Sequence, residues 1–349
     1  MNWGTMQNFM KGKTILVTGT TGFLAKVFVE KILRIQPEIQ KLYLLVRASN
    51  TDMASHRLQN EVFDTDLFRV LRDDWGEDFN SFISKKVVAV AGDVAVENLG
   101  IKDQNILNVM FEEIDLIVNS AATTNFDERF DISMGVNTMG ALQVLNIAKK
   151  CHKVKLLVHI STAYVCGEAK EEGSIFQEKP FEMGQSLKGT SKLDIHTEMN
   201  LLEKKFDELR AMNVDEKTLK YALKDYGIER TVDSMICAYG KGKLPYFLGN
   251  PRTVLDIIPA DLVINCMIAA IVINSNQAPK NFIYHVSSSL RNPLKISDVH
   301  NISHRYFMKT PCLNKDGKPI VISKGIAFKS MAAFNIYTET RYVLPLEVC

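Results

Sequence analysis

No stretch of this sequence is apolar for long enough to cross a bilayer. The nearest, DLVINCMIAAIVI at 261–273, falls short of the roughly eighteen apolar residues a spanning helix needs, and its length fits a buried helix. A surplus of one charge is missing too: 42 Lys and Arg meet 40 Asp and Glu, leaving +2. That balance suggests neither nucleic acid nor a polybasic membrane patch, so any charged partner must be met locally. The six cysteines (Cys151, Cys166, Cys237, Cys266, Cys312, Cys349) form no CxxC pair, and MNWGTMQNFMKGKTI carries no secretory signal. They read as reduced thiols in a cytosol-facing protein. His300 and His304 stand four apart, but no Glu follows the first and no third ligand is near, so a surface or packing role is expected and no metal site. Internal repeats, low-complexity runs and Pro-rich linkers are absent as well.

What is present is apolar content, 46% of 349 residues, enough for one large α/β domain with a smaller attachment. KTILV at 13–17 is a short β-branched run, followed at once by TGTTGFLAKVFVEKILR with helical spacing at Phe23, Val27, Phe28 and Ile32. The glycines therefore fall on a strand-to-helix turn. Gly19 lets the chain turn sharply, Gly22 lets backbone approach a pyrophosphate, and Ala25 stands where a third small residue is wanted. Thr18, Gly19, Thr21 and Gly22, with the helix start at Phe23 and Leu24, make the candidate phosphate cradle.

A second strand, KLYLLVR, ends at Arg47 rather than at an acid. A basic residue there suits a 2'-phosphate, so NADPH is favoured over NADH; the alternative is a solvated arginine at a strand end. The third strand, KKVVAVAGDV, places Asp93 where a carboxylate can meet an adenine amino group. The fourth, IDLIVNSAATTNF, sends the small residues Ser120, Ala121 and Ala122 over the cofactor. FDISMGVNTMGALQVLNIAKK is an amphipathic helix and KLLVHISTAYVCGE the fifth strand, with His159 expected in the core. Strands alternating with helices predict an α/β fold: a doubly wound parallel Rossmann sheet covered on both faces, with a smaller, mainly helical C-terminal region. The expected division is 1–275 and 276–349. In the second half, VLDIIPADLVINCMIAA leads into the buried helix, KNFIYHVSSS is read as a strand, and PLKISDVHNISHRYFMK as a helix led by Ser297 and Asp298.

Together VTGTTGFLAKVFVEKILR, LYLLVR, GDV, VNSAATTNFDERFD, VNTMGALQVLNIAKK and LLVHISTAYVCGE resemble the plant alcohol-forming fatty acyl-CoA reductases, an extended short-chain dehydrogenase/reductase family. The resemblance resumes at TVDSMICAYGKGKLPYFLGNPRTVLDIIPADLVINCMIAA. It implies two hydride transfers from NADPH, taking a long-chain acyl-CoA to an aldehyde and then to a primary alcohol for wax, suberin or cutin. It also implies a Ser or Thr hydroxyl at the end of the fifth strand, a Tyr whose proton a Lys four residues on makes available, and an Asn supporting a proton-relaying water. Carried over by position, Thr162 takes the hydroxyl role with Ser161 beside it, and Asn137 is the candidate Asn; the alternative for Asn137 is a helix residue satisfied by backbone. Location at the cytosolic face of the endoplasmic reticulum or in the cytoplasm, peripheral membrane association, and pairing with itself or related reductases are likewise only implied.

The Tyr–Lys pair does not follow. Of ten tyrosines only Tyr239 has Lys at +4, in YGKGK, where two glycines disfavour a helix; Tyr226 has Arg230 at +4. One helical turn must bring the pair side by side, so neither serves. Against the family pattern, the resemblance implies that a few dozen residues are absent where Gly227 meets Ile228, with the pair and the sixth parallel strand among them, and that most of a further C-terminal domain is absent too. Independently of any family, 162–256 holds no β-branched apolar run for another central strand, only the helical SKLDIHTEMNLLEKKFDELRAM and the linker VDEKTLKYALKDYGIERT. A sheet ending at its fifth strand leaves an open edge. The readings are thus an impaired NADPH-dependent acyl-CoA reductase, or a catalytically inactive NADP-binding paralogue or splice form that associates with full-length reductases. A third, a reductase or epimerase acting on sugars or flavonoids, fits the front half but not FDERFD or AYGKGKLPYFL.

Overall fold

The computed structural model describes residues 9–125, 128–163, 175–180, 182, 185–186, 189–190, 194–224, 246–275, 277–278 and 280–343. Five short apolar runs pair into one parallel sheet: β1 (Thr14–Thr18), β2 (Lys41–Val46), β3 (Val87–Ala91), β4 (Leu116–Asn119) and β5 (Leu156–His159), in the order β3-β2-β1-β4-β5. Alternation along each strand feeds two cores. Ile15, Val17, Leu42, Leu44, Leu116 and Val118 pack under α1 (Phe23–Ile35) with its Phe28, Ile32 and Leu33. Leu16, Tyr43, Leu45 and Ile117 pack on the other face, where α2 (Gln104–Glu113) brings Met110 and α3 (Gly140–Lys150) brings Val144 and Ile147. A register slip of one residue would exchange the two faces. Because both are apolar, the strands show near-continuous hydrophobicity.

The sheet's two flanks differ. β1 and β4 are buried throughout, whereas Leu156, Leu157 and Val158 of β5 are only half-buried. Among the described residues no strand pairs beyond β5.

The helix expected at 261–273 forms as Ala260–Asn274 and sets Ile264, Met267, Ile268 and Ile271 against the α1 side of the sheet. The predicted helix after 191 forms as Ile195–Ala211. Part of the stretch read as a linker is helix, Glu216–Lys224, whose Leu223 is buried with Leu202 and Leu209 in a small separate core. No strand forms over 280–289; Ser287–Ser289 instead wrap the Asp256 carboxylate, which accepts from the Ser288 and Ser289 N–H groups at 2.7 and 2.8 Å. The helix led by Ser297 and Asp298 forms as Ile296–Lys309, with the Lys295 N–H donating to Asp298.

By contacts the chain divides into two compact units, Met1–Ile228 with Ala260–His285, and Glu229–Pro259 with Val286–Cys349. This differs from the expected division at 229–259, which group with the second unit, and at 276–285, which group with the first. Among the described residues no helix is long and apolar enough to cross a membrane.

Candidate functional site

The parallel register brings the C-terminal ends of β1, β4 and β5 side by side: Thr18 opposite Asn119, and Asn119 opposite His159. Strand order reverses between β1 and β4, the place where open α/β sheets hold ligands. Gly19 leaves β1 at φ +70°, and a Cβ there would stand 2.5 Å from the Ser120 carbonyl oxygen and 2.7 Å from the Ala121 nitrogen. Only glycine fits both the left-handed backbone and that contact. Gly22 donates its N–H to the Gly19 carbonyl at 2.8 Å and forms the extended N-cap of α1, with no side-chain cap. The first N–H groups of α1 are therefore left for another partner. Thr21 and Leu24 are half-buried, while Phe23 is 70% exposed at the first helical position.

Thr20, between the two glycines, is buried and donates its hydroxyl to the Leu45 carbonyl at 2.8 Å, pinning the glycine turn to β2. Its only signal in the sequence is its place between the glycines.

Arg47 is exposed just past β2, and its carbonyl accepts from Arg57 at 2.6 Å. Arg57 in turn holds Glu61 through two hydrogen bonds of 2.6 and 2.9 Å, which keeps that carboxyl below its usual pKa. Asp93, half-buried past β3, closes a turn: its N–H donates to the Leu99 carbonyl at 2.6 Å and its carboxylate accepts from the Ala95 N–H at 3.0 Å.

Past β4, Ser120 and Ala121 are half-buried, and the Ala121 N–H donates to the Thr18 hydroxyl at 3.1 Å. With its oxygen engaged as acceptor, Thr18 directs its own hydrogen to Asn119 Oδ1 at 2.6 Å, leaving the Asn119 amide nitrogen facing His159 Nδ1 at 3.0 Å. His159 is exposed at the end of β5, not a core residue as expected from its apolar strand, because β5 lies at the flank of the sheet. Although the residue as a whole is exposed, partial desolvation of the ring pushes its pKa down, which favours the neutral imidazole.

Asn137 lies in a π-helical segment, Met134–Met139, that runs into α3. Its carboxamide accepts from the Thr123 N–H at 2.8 Å and donates to the Thr123 carbonyl at 3.1 Å. Each half of the side chain thus meets backbone of the loop after β4. Ser161 and Thr162 are exposed immediately after β5. Tyr226, Gly227, Ile228, Arg230, Tyr239 and Lys243 lie outside the described residues. The buried thiol of Cys151 is pushed up to about 11 by desolvation and stays protonated at neutral pH. A dinucleotide fits this edge: the turn closes to backbone contact where no Cβ can stand, a helix start is uncapped, and an exposed guanidinium ends the next strand.

An NAD-binding family described as Male sterility protein matches residues 17–222. The chain is 43% identical to the Probable fatty acyl-CoA reductase 4 of Arabidopsis thaliana over 395 residues, covering 97% of this chain and 80% of that protein. It is 42% identical to the Alcohol-forming fatty acyl-CoA reductase of Simmondsia chinensis over 400 residues, covering 99% and 80%. Among solved structures, the reductase domain of a non-ribosomal peptide synthetase from Mycobacterium tuberculosis superposes with a TM-score of 0.57 at 22% identity, over 97% of this chain and 79% of that one. This last likeness is one of fold.

Proposed function

Given that this chain belongs to the fatty acyl-CoA reductase family with a male-sterility-type NAD-binding domain, we propose that it binds NADPH and holds long-chain acyl-CoA for reduction to a primary alcohol, with the proton-donating part of the site deficient. The observation that carries the cofactor half is Gly19, whose missing side chain lets the turn close against Ser120 and Ala121. The uncapped N–H groups of α1 offset pyrophosphate charge, and Arg47 meets the 2'-phosphate. Asp93 stands at the adenine end. When bound, NADPH supplies hydride to the carbonyl carbon. As that carbon is attacked, negative charge grows on the carbonyl oxygen, and the hydroxyls of Thr162 and Ser161 hold it. Asn137, paired with Thr123, fixes the loop that follows Ser120 and Ala121.

The deficiency rests on the ten tyrosines, none of which has a Lys at +4 within a helix-compatible segment. It is supported by the match to the Arabidopsis relative, which runs over 395 residues against 349 here. A missing general acid typically costs a factor of about 10² to 10⁴. The test is thioester-dependent NADPH oxidation beside a full-length relative, with alcohol measured as product. A deficit of about a hundredfold or more is expected, and equal rates would refute it. The lack of the pair also favours a second reading, an NADP-binding protein without turnover that associates with intact reductases; affinity capture that recovers no such reductase would remove that association.

A further inference from the structure

Thr18, Asn119 and His159 are direct cross-strand neighbours, so their side chains lie on one face of the sheet, the face covered by α2 and α3. Their hydrogen bonds run in one direction. The Ala121 N–H fills the acceptor side of Thr18, Thr18 donates to Asn119 Oδ1, and the Asn119 amide donates to His159 Nδ1. An imidazole that accepts at Nδ1 and is neutral carries its proton on Nε2. The pairing with β4 continues one residue further, where the Ile160 N–H donates to the Asn119 carbonyl at 2.9 Å. Ser161, two residues beyond His159 on this extended chain, therefore falls on the same side.

We propose that His159 is a positioning residue of the reduction site, a neutral imidazole fixed by Asn119 as its Nε2–H tautomer so that it offers one N–H donor on the side of β5 shared with Ser161. The proposal rests on the reading of Ser161 and Thr162 as the hydroxyls that hold the substrate carbonyl. A neutral N–H donor steadies a hydroxyl or a polarised carbonyl without competing as an acid, a use of histidine that depends on its being kept uncharged. The glycine turn enters the same chain of bonds through Thr18, so the cofactor cradle and the end of β5 are held by one network.

The test uses the full chain. Nitrogen-15 NMR of the imidazoles, with His159 assigned by loss of its signals in His159→Gln, is expected to show Nε2 protonated and Nδ1 bare at neutral pH. Asn119→Asp, which replaces the amide donor with a carboxylate, is expected to protonate Nδ1. In single-turnover NADPH oxidation with acyl-CoA, His159→Ala and His159→Asn are expected to lose about tenfold in rate, the worth of one hydrogen bond, at unchanged NADPH affinity. His159→Gln, whose amide reaches the Nε2 position, is expected to recover most of it. A purely structural contact with Asn119 would give the reverse order, Asn recovering and Gln not, and would overturn the proposal, as would an Nδ1–H tautomer in the unsubstituted protein. NADPH binding with no turnover at all in the unsubstituted chain would sink the reduction reading itself, and the positioning role with it, whatever the tautomer.

Discussion

Asn137 and Thr123 exchange two hydrogen bonds, the side-chain amide of one pairing with both backbone groups of the other at 2.8 and 3.1 Å. A π-helical segment supplies the extra residue that turns Asn137 toward the loop after β4. Asn137→Ala leaves the Thr123 backbone without that partner. A loss of about 1–2 kcal/mol is expected, two hydrogen bonds at modest net worth each, together with faster amide exchange at Thr123. Urea unfolding and hydrogen exchange would show it; unchanged protection at Thr123 would mean the clamp does not hold the loop.

Gly19→Ala places a methyl group 2.5 Å from the Ser120 carbonyl oxygen at a backbone φ of +70°. Neither the turn nor β4 yields freely, since Ala121 and Asn119 are tied to Thr18. The variant is expected to lose about 1–3 kcal/mol through strain and to bind NADPH at least about tenfold more weakly, because about 1.4 kcal/mol of misplaced contact suffices for that. Calorimetry beside a thermal melt separates the two effects. Wild-type affinity in a folded variant would remove the turn from the binding site.

Arg47 tests the choice of cofactor. Its exposure means Arg47→Ala should leave stability within about 0.5 kcal/mol. If the guanidinium meets a 2'-phosphate, NADPH affinity drops by about ten- to a hundredfold, a charge-assisted bond of about 1.5–3 kcal/mol, while NADH affinity stays. Equal loss for both cofactors would assign Arg47 to the strand end alone.

The sheet was legible because each strand is an unbroken apolar run, and the cradle because Gly19 and Gly22 sit between a strand and a helix. The position of His159 was not. An apolar strand reads as core, and only the pairing order shows that β5 stands at the flank, where its last residue reaches solvent. Thr20 escaped because a threonine's hydroxyl partner, here the Leu45 carbonyl, is 25 residues away. The helix Glu216–Lys224 escaped because its polar composition gives few apolar positions, and its anchor, Leu223, finds its partners on another helix. Ser287–Ser289 read as the end of a strand, yet they are bent by Asp256, a carboxylate about thirty positions earlier.

The lowered pKa of His159 fixes a sign for pH dependence. Partial desolvation of the ring lowers its pKa in the fold, while the unfolded chain takes up a proton near the ordinary value of about 6.5. The unfolded state then binds more protons, so stability falls as pH drops below about 6.5 and levels off beneath the folded pKa. His300, also pushed down by burial and by His304 and Lys324, adds in the same direction. Urea midpoints between pH 7.5 and 5 should decline for the unsubstituted protein and less steeply for His159→Gln. Equal slopes would mean that desolvation in the fold does not hold the imidazole neutral.

Among the described residues no strand pairs with the outer side of β5, and this makes the last prediction. In a parallel pair the residues of one strand alternate between facing the neighbour and facing away. Ile160 donates to Asn119, so Val158 also faces β4, and the amides of Leu157 and His159 point to the outer edge. β1, by contrast, is flanked on both sides by β2 and β4 and is buried throughout. Amide exchange should therefore be slowest along Ile15–Val17, intermediate at Val158 and Ile160, and fastest at Leu157 and His159, where no described strand accepts the hydrogen. Protection at Leu157 and His159 equal to that of Val158 would show the edge paired in solution. A dependence of that protection on protein concentration would identify the pairing strand as one from a second copy of the chain.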